Sequence, residues 1–273
     1  MKMNYFSKKL IILLSILSSN LIASIVGGEA GIETKHYFLP EDTKRIKAVL
    51  DKALVVDGIG KVPKKVKLAS YWLTDISFID KLINLKSRGT DVQVIYDSSQ
   101  PNGDTIMDKL LHGNIVPVLT PTKDSDNFMP RSDRLMHNKS MVVDDMVFTG
   151  SANYTVPGFG VNDETVTVYN SPVTARQFEA NFDKIQNRTF DAYISHKLND
   201  RRPSDYFRDL FKKLYKKNEI FKRKCDLKGV GKIVSGKLPT EYMLEELRKY
   251  GVRTTNMSYD EAYEIIGKIK YNK

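Results

Sequence analysis

Apolar positions recur along the chain with two periods, one near 3.6 and one of two, and the switches between them mark out the elements. In "KRIKAVLDKAL" (44–54), Ile46, Val49, Leu50 and Leu54 share one face of a helix. "KKVKLASYWL" (64–73) alternates with period two, which predicts a strand with Val66, Leu68, Ser70 and Trp72 on one side. "DISFIDKLINLKSRGT" (75–90) returns to helical spacing, with Asp75 placed to cap its start and Gly89 to end it. "DVQVIYD" (91–97) is a strand, Asn102–Asn114 a short helix, and "IVPVL" (115–119) another strand. A polar loop, Pro121–Arg134, follows. Further on, "ETVTVYN" (164–170) reads as a strand and Ser171–Asn187 as a helix with Ser at its cap and Pro just inside. Alternating strands and helices predict an α/β layered domain ending near Asn187, with a hinge at Asn199–Asp205.

The N-terminus departs from this pattern. Lys2, Lys8 and Lys9 precede the apolar Leu10–Leu17 and a run of small residues, the marks of an export signal over residues 1–30. Because Leu10–Gly27 is largely apolar, an uncleaved membrane anchor is the alternative. Either way the expectation is an exported protein, periplasmic or secreted. Cys225 is the one cysteine, so no internal disulfide and no cysteine-based metal site is expected.

Charge adds a partner to the picture. The chain carries +10 overall, but residues 27–185 are near neutral, whereas residues 186–273 hold 21 Lys and Arg against 12 Asp and Glu. A basic C-terminal third on a near-neutral body points to a polyanionic partner.

The candidate chemistry lies in "MHNKSMVVDDMVFTGSANYT" (136–155). Period two puts His137, Lys139, Met141 and Val143 on one face of a strand; Asp144–Asp145 turns the chain, and "MVFTG" returns antiparallel to a sharp end at Gly150. The hairpin would bring His137 and Lys139 beside Ser151 and Asn153. An imidazole, a fixed cation, a hydroxyl and an amide together suit a phosphodiester. Lys139 would neutralise phosphoryl oxygens, Ser151 and Asn153 would donate hydrogen bonds, and neutral imidazole can attack phosphorus. No cofactor or metal is required by such a set. His36, His112 and His196 lack this company and read as structural.

The spacing His137-x-Lys139-x₄-Asp144-x₅-Gly150-Ser151-x-Asn153 resembles in full the HxKxxxxD…GSxN signature of the phospholipase D superfamily. "VKLASYWLTDISFIDKLINLKSRGTDVQVIYD" (66–97) is similar to the strand–helix–strand that opens those domains, and "NDETVTVYN" (162–170) to a short acidic strand that follows the motif. The resemblance implies a phospholipase D-like fold over residues 31–187 and a metal-independent phosphodiesterase. It implies His137 as the nucleophile of a phosphohistidine, Lys139 and Asn153 as phosphate ligands supported by Ser151, Asp144 as a hydrogen-bonding anchor of the motif, and Glu164 as acceptor from the second nitrogen of His137. Larger members carry two such motifs and this chain has one, which implies a homodimer that pairs two His137 side chains in one site.

The superfamily includes nucleases and phospholipases, so a nonspecific endonuclease acting on DNA or RNA and a phospholipase D acting on anionic phospholipids both remain open. So does a non-catalytic phosphate-binding module. Residues 188–273 bear on the choice. His196–Lys224 carries 11 Lys and Arg against four acids, with Phe207, Leu210, Phe211 and Leu214 on one helical face and Arg208, Lys212, Lys213, Lys216 and Lys217 around it. This helix can pack on the domain with a solvated basic side, contact nucleic-acid phosphates, or lie on anionic lipid. "DLKGVGKI" (226–233) contains a Gly-Val-Gly like that of DNA-binding helical pairs, though a plain turn fits too. Thr240–Val252 and Tyr259–Ile269 read as two further helices.

Overall fold

The structure, a computed structural model, describes residues 33–55, 60–123, 129–130, 132–199, 204–230 and 241–254, with Pro239, Met257, Ala262, Ile265, Ile266 and Ile269. The expected export signal, most of the expected hinge and most of the last expected helix lie outside the described residues; of the Gly-Val-Gly stretch, Gly229 turns the chain at φ +68° and Val230 is buried in the main core, while Gly231 lies outside them.

Seven strands form one mixed sheet: β1 (Glu33–Leu39), β2 (Lys65–Ser70), β3 (Asp91–Asp97), β4 (Val118–Thr120), β5 (Lys139–Val143), β6 (Met146–Gly150) and β7 (Glu164–Asn170). Their spatial order is β1-β7-β6-β5-β2-β3-β4. The strands β2, β3 and β4 are parallel, and every other neighbouring pair is antiparallel. Helix α1 (Thr43–Ala53) buries Ile46 and Leu50, and α2 (Ile76–Ser87) buries Phe78, Ile79, Leu82 and Leu85. Asp75 caps α2 by accepting from the Phe78 amide at 3.2 Å, and Gly89 ends it at φ +94°, a conformation open to residues without a Cβ. Helix α3 (Gly103–His112) buries Ile106, Met107 and Leu110.

Two expected strands are shorter than their apolar patterns. The one expected at Ile115–Leu119 pairs only from Val118, because Pro117 has no N–H for the ladder. The one expected at Lys64–Leu73 ends at Ser70, where the Ser70 hydroxyl donates to Trp72 O at 2.6 Å and turns the chain.

The domain edge expected at Asn187 falls inside α4 (Pro172–Asn199), a single helix of 28 residues. No Gly or Pro interrupts its second half. Phe182, Ile185, Phe190, Tyr193 and Ile194 continue one apolar face into the main core. Helices α5 (Asp205–Lys217) and α6 (Glu219–Leu227) close over it. Phe207, Leu210, Phe211 and Leu214 are all buried and join the same core as Phe221 and Cys225. This corrects one reading of the extension: that apolar face is packed on the domain and cannot also lie on lipid. Helix α7 (Glu241–Lys249) belongs to a separate, smaller cluster of Met243, Leu247 and Ala262. Among the described residues no helix is long and apolar enough to cross a membrane.

Candidate active site

The motif residues gather at one end of the sheet. Here β2 and β3 finish, β5 begins, β6 finishes and β7 begins. Carboxyl ends of parallel strands leave a crevice of this kind. Lys139 pairs with Ser70 across β5 and β2. Gly150 ends β6 opposite Val166 of β7. A Cβ at Gly150 would collide with the Thr165 carbonyl, so only glycine lets the two strands approach closely here. Ser151 is then held reciprocally: its N–H donates to Thr165 O and its Oγ accepts from the Thr165 N–H, each at 3.0 Å. The hydroxyl proton of Ser151 can still be donated outward.

Asn153 follows in a tight turn, with the Trp72 N–H donating to its Oδ1 at 3.4 Å. That assigns the amide oxygen inward and leaves Nδ2–H as a donor. A Cβ at Gly158 would collide with the Asn153 carbonyl, so this glycine lets the following turn fold over it. Lys139 is buried, 7% exposed, yet its ammonium is well engaged. Nζ donates to His137 O at 3.0 Å and lies 5.1 Å from the centre of the Tyr71 ring. Burial lowers the Lys139 pKa and the Glu164 carboxylate opposes that shift.

His137 is not on the strand, as the alternation predicts. It precedes β5, is exposed, and packs its ring on Tyr71 at 4.8 Å between centroids. Partial withdrawal from water and then the Lys139 charge lower its pKa below the usual imidazole value, with Asp97 pulling the other way. The expected hydrogen bond to Glu164 is not formed. Glu164 opens β7, two strands from β5, and roughly 10 Å of sheet separates those strands. Its carboxylate acts instead on Lys139 and accepts from Asn162 Nδ2 at 3.5 Å.

Asp144 lies at the opposite end of the hairpin. At φ +48°, it accepts from the Lys64 N–H at 2.9 Å and the Lys65 N–H at 3.1 Å, pinning the β5–β6 turn to the start of β2. It is far from the crevice and touches none of the other motif side chains. The other histidines have partners elsewhere: His36 on Thr167, His112 on Asp108 O and His196 against Phe207.

Two residues absent from the sequence reading stand beside His137. Tyr71 contacts both the imidazole and the Lys139 ammonium and stacks on Trp72. Asp97, fully buried at the end of β3, accepts from the Met136 N–H. Tyr71 follows the end of β2 and Asp97 ends β3, strands whose alternation is ordinary; only pairing in the sheet brings the two here. The five basic positions of α5 are apart from this crevice and unequal. Lys213 pairs with Asp209 at 2.6 Å and Lys217 donates to Asn114 at 3.0 Å, while Lys212 and Lys216 are exposed and Arg208 is half-buried.

A mixed sheet flanked by helices, with this motif at one end, defines a phospholipase D-like domain. Residues 55–186 match the family model described as cardiolipin synthase, PLD-like domain, and the chain thus carries a domain of the phospholipase D superfamily. A mitochondrial cardiolipin hydrolase from Chlamydomonas reinhardtii is 24% identical over 139 residues, 48% of this chain and 55% of that protein. The chain thus spans about half the length of this relative. Among solved structures, NucT from Helicobacter pylori is similar at 22% identity and a TM-score of 0.48, covering 57% of this chain and 97% of its own. Nuc from Salmonella typhimurium, described as a phospholipase D family member, is similar at 21% identity and a TM-score of 0.46, covering 57% and 95%.

Proposed function

We propose that the protein is a phosphodiesterase that works through a covalent phosphohistidine on His137, without a metal. The observation that carries this reading is the convergence of His137, Lys139, Ser151 and Asn153 at one end of the sheet. A ring nitrogen of His137 attacks phosphorus and forms the N–P bond while the P–O bond to the leaving group breaks. The leaving oxygen takes up a proton. Water then attacks phosphorus, the N–P bond breaks and the imidazole is restored. Lys139 and the Asn153 and Ser151 donors balance the charge that builds on the phosphoryl oxygens.

One imidazole cannot serve as nucleophile and leaving-group acid in the same step. We assign the acid to the partner subunit's His137 in an isologous homodimer. Support comes from the exposure of His137 and from exposed apolar side chains on segments flanking the crevice: Leu135, Ile76, Val156 and Val161. The proposed substrate is DNA or RNA, cleaved without sequence preference. Its support is the exposed basic side of α5 together with the burial of the apolar face that lipid binding would use. Anionic phospholipid is the second reading, favoured by the family description and by the cardiolipin hydrolase relative. Export of the protein rests on the pattern of residues 1–30.

The test is to give purified protein plasmid DNA, RNA and anionic phosphatidyl lipids side by side in EDTA, with light scattering on the active fraction. Cleavage of nucleic acid by a species of twice the 31.2 kDa chain is expected. Lipid hydrolysis alone would establish the second reading. Activity that EDTA abolishes and divalent metal restores would refute the mechanism, and an active monomer would refute the shared site.

A further inference from the structure

Asp97 has no part in the motif, yet it is the most heavily engaged carboxylate near the site. It is fully buried. Its Oδ1 accepts from the Ser99 N–H at 3.0 Å and the Ser99 hydroxyl at 2.7 Å. Its Oδ2 accepts from the Thr120 hydroxyl and the Met136 N–H, each at 3.2 Å. One side chain thus ties together the end of β3, the end of β4 and the segment entering β5. A buried carboxylate is tolerated only when satisfied in this way.

His137 needs such a support because no sheet ladder and no side-chain hydrogen bond described here holds its imidazole. It sits between two anchored peptides. On one side is Met136, itself buried, with its N–H on Asp97. On the other is Asn138, whose carbonyl accepts from the Tyr71 N–H at 2.7 Å. We propose that Asp97 is the positioning residue for His137, fixing the peptide that delivers the imidazole to the crevice and lending that imidazole the nearest buried negative charge. The inference rests on His137 being the reactive group of the proposed function.

The charged groups bearing on His137 are few. Lys139 of β5 opposes its protonated form and Asp97 of β3 favours it; Glu164 of β7 acts on Lys139, and Tyr71 presents a ring. Removing the Asp97 charge should leave Lys139 unopposed. The experiment is an NMR titration of the imidazoles in the intact protein without substrate, with His137→Ala identifying its signal among the four histidines.

Asp97→Asn should lower the His137 pKa. In that variant kcat should fall on the order of tenfold with KM little changed, since a misplaced group costs turnover rather than binding. Asp97→Asn leaves one buried donor or acceptor unmatched and can fail to fold, so Thr120→Val is the second variant. It is isosteric and removes one donor to Oδ2. A carboxylate less neutralised by hydrogen bonds should move the His137 pKa upwards. An unchanged His137 titration in folded Asp97→Asn would overturn the proposal. If that variant does not fold, an unchanged titration in Thr120→Val would overturn it. Because the titration needs no turnover, a protein inactive on every phosphodiester but showing both shifts would sink the proposed function and leave the role of Asp97 standing.

Discussion

His137 gives up its proton more readily than a free imidazole, because it is partly withdrawn from water and faces the Lys139 ammonium. The nucleophile is the neutral ring and the acid is the partner subunit's protonated ring, so kcat/KM should follow a bell whose acid limb lies below pH 6.5 and should decline again at higher pH. An acid limb with its midpoint above 6.5 would show that the imidazole is not governed by these neighbours. At this scale the motif positions were legible in the sequence, since their spacing alone gathers His137, Lys139, Ser151 and Asn153 at a hairpin's open end. Tyr71 and Asp97 were not. Each lies in a run that reads as an ordinary strand, and its meaning comes from which strand lies next to it. Nor was the missing His137–Glu164 bond legible, because it depends on β6 lying between β5 and β7.

Among the elements, the β5–β6 hairpin has its chemistry at one end and its anchor at the other. Asp144 takes a left-handed conformation and holds two amides of the segment entering β2. Asp144→Ala loses both bonds and the residue type that tolerates positive φ. It should lower stability by about 2 kcal/mol, read as a shift in the urea midpoint, while the folded fraction keeps its turnover. Loss of turnover without loss of stability would place Asp144 in the chemistry instead. Six of the seven strands were legible from their alternation, with bounds for Glu164–Asn170 that match throughout, but β1 (Glu33–Leu39) was not read from the sequence, because only Tyr37 and Leu39 of this edge strand are buried and the alternation is too short to show. The failures have local causes. Pro117 withholds an amide from β4. Helix α4 runs past Asn187 because Phe190, Tyr193 and Ile194 continue the spacing of Phe182 and Ile185, and nothing between them breaks a helix.

For the whole molecule, the first consequence is that the basic extension and the phospholipase D-like domain share one core. Removing residues beyond Asn187 would strip Phe190, Tyr193, Phe207, Phe211 and Phe221 from it, so truncation would test folding rather than binding. Charge reversal is the cleaner probe. Helix α5 runs from the site end of β3, where Tyr206 lines a cleft of about 500 Å³ with Ser98, Gln100 and Asn102, to the opposite end, where Lys217 meets Asn114. Lys212 and Lys216 sit one turn apart on its exposed side. The double variant Lys212→Glu, Lys216→Glu should weaken DNA or RNA binding and flatten the salt dependence. Each lost phosphate contact removes about 0.7 to 0.9 from the slope of log K against log salt. Equal affinity and equal slope in the variant would leave α5 as a cover for the core and nothing more.

The central claim is that phosphorus passes through His137, and trapping the intermediate tests it most directly. Wild-type protein mixed with excess phosphodiester in EDTA, quenched at alkaline pH during turnover and digested, is read by mass spectrometry. The account predicts a phosphoryl-bearing adduct on the peptide containing His137, absent from the His137→Ala variant, which is itself inactive. Full turnover by His137→Ala, or wild-type turnover with the adduct on another residue, would contradict it.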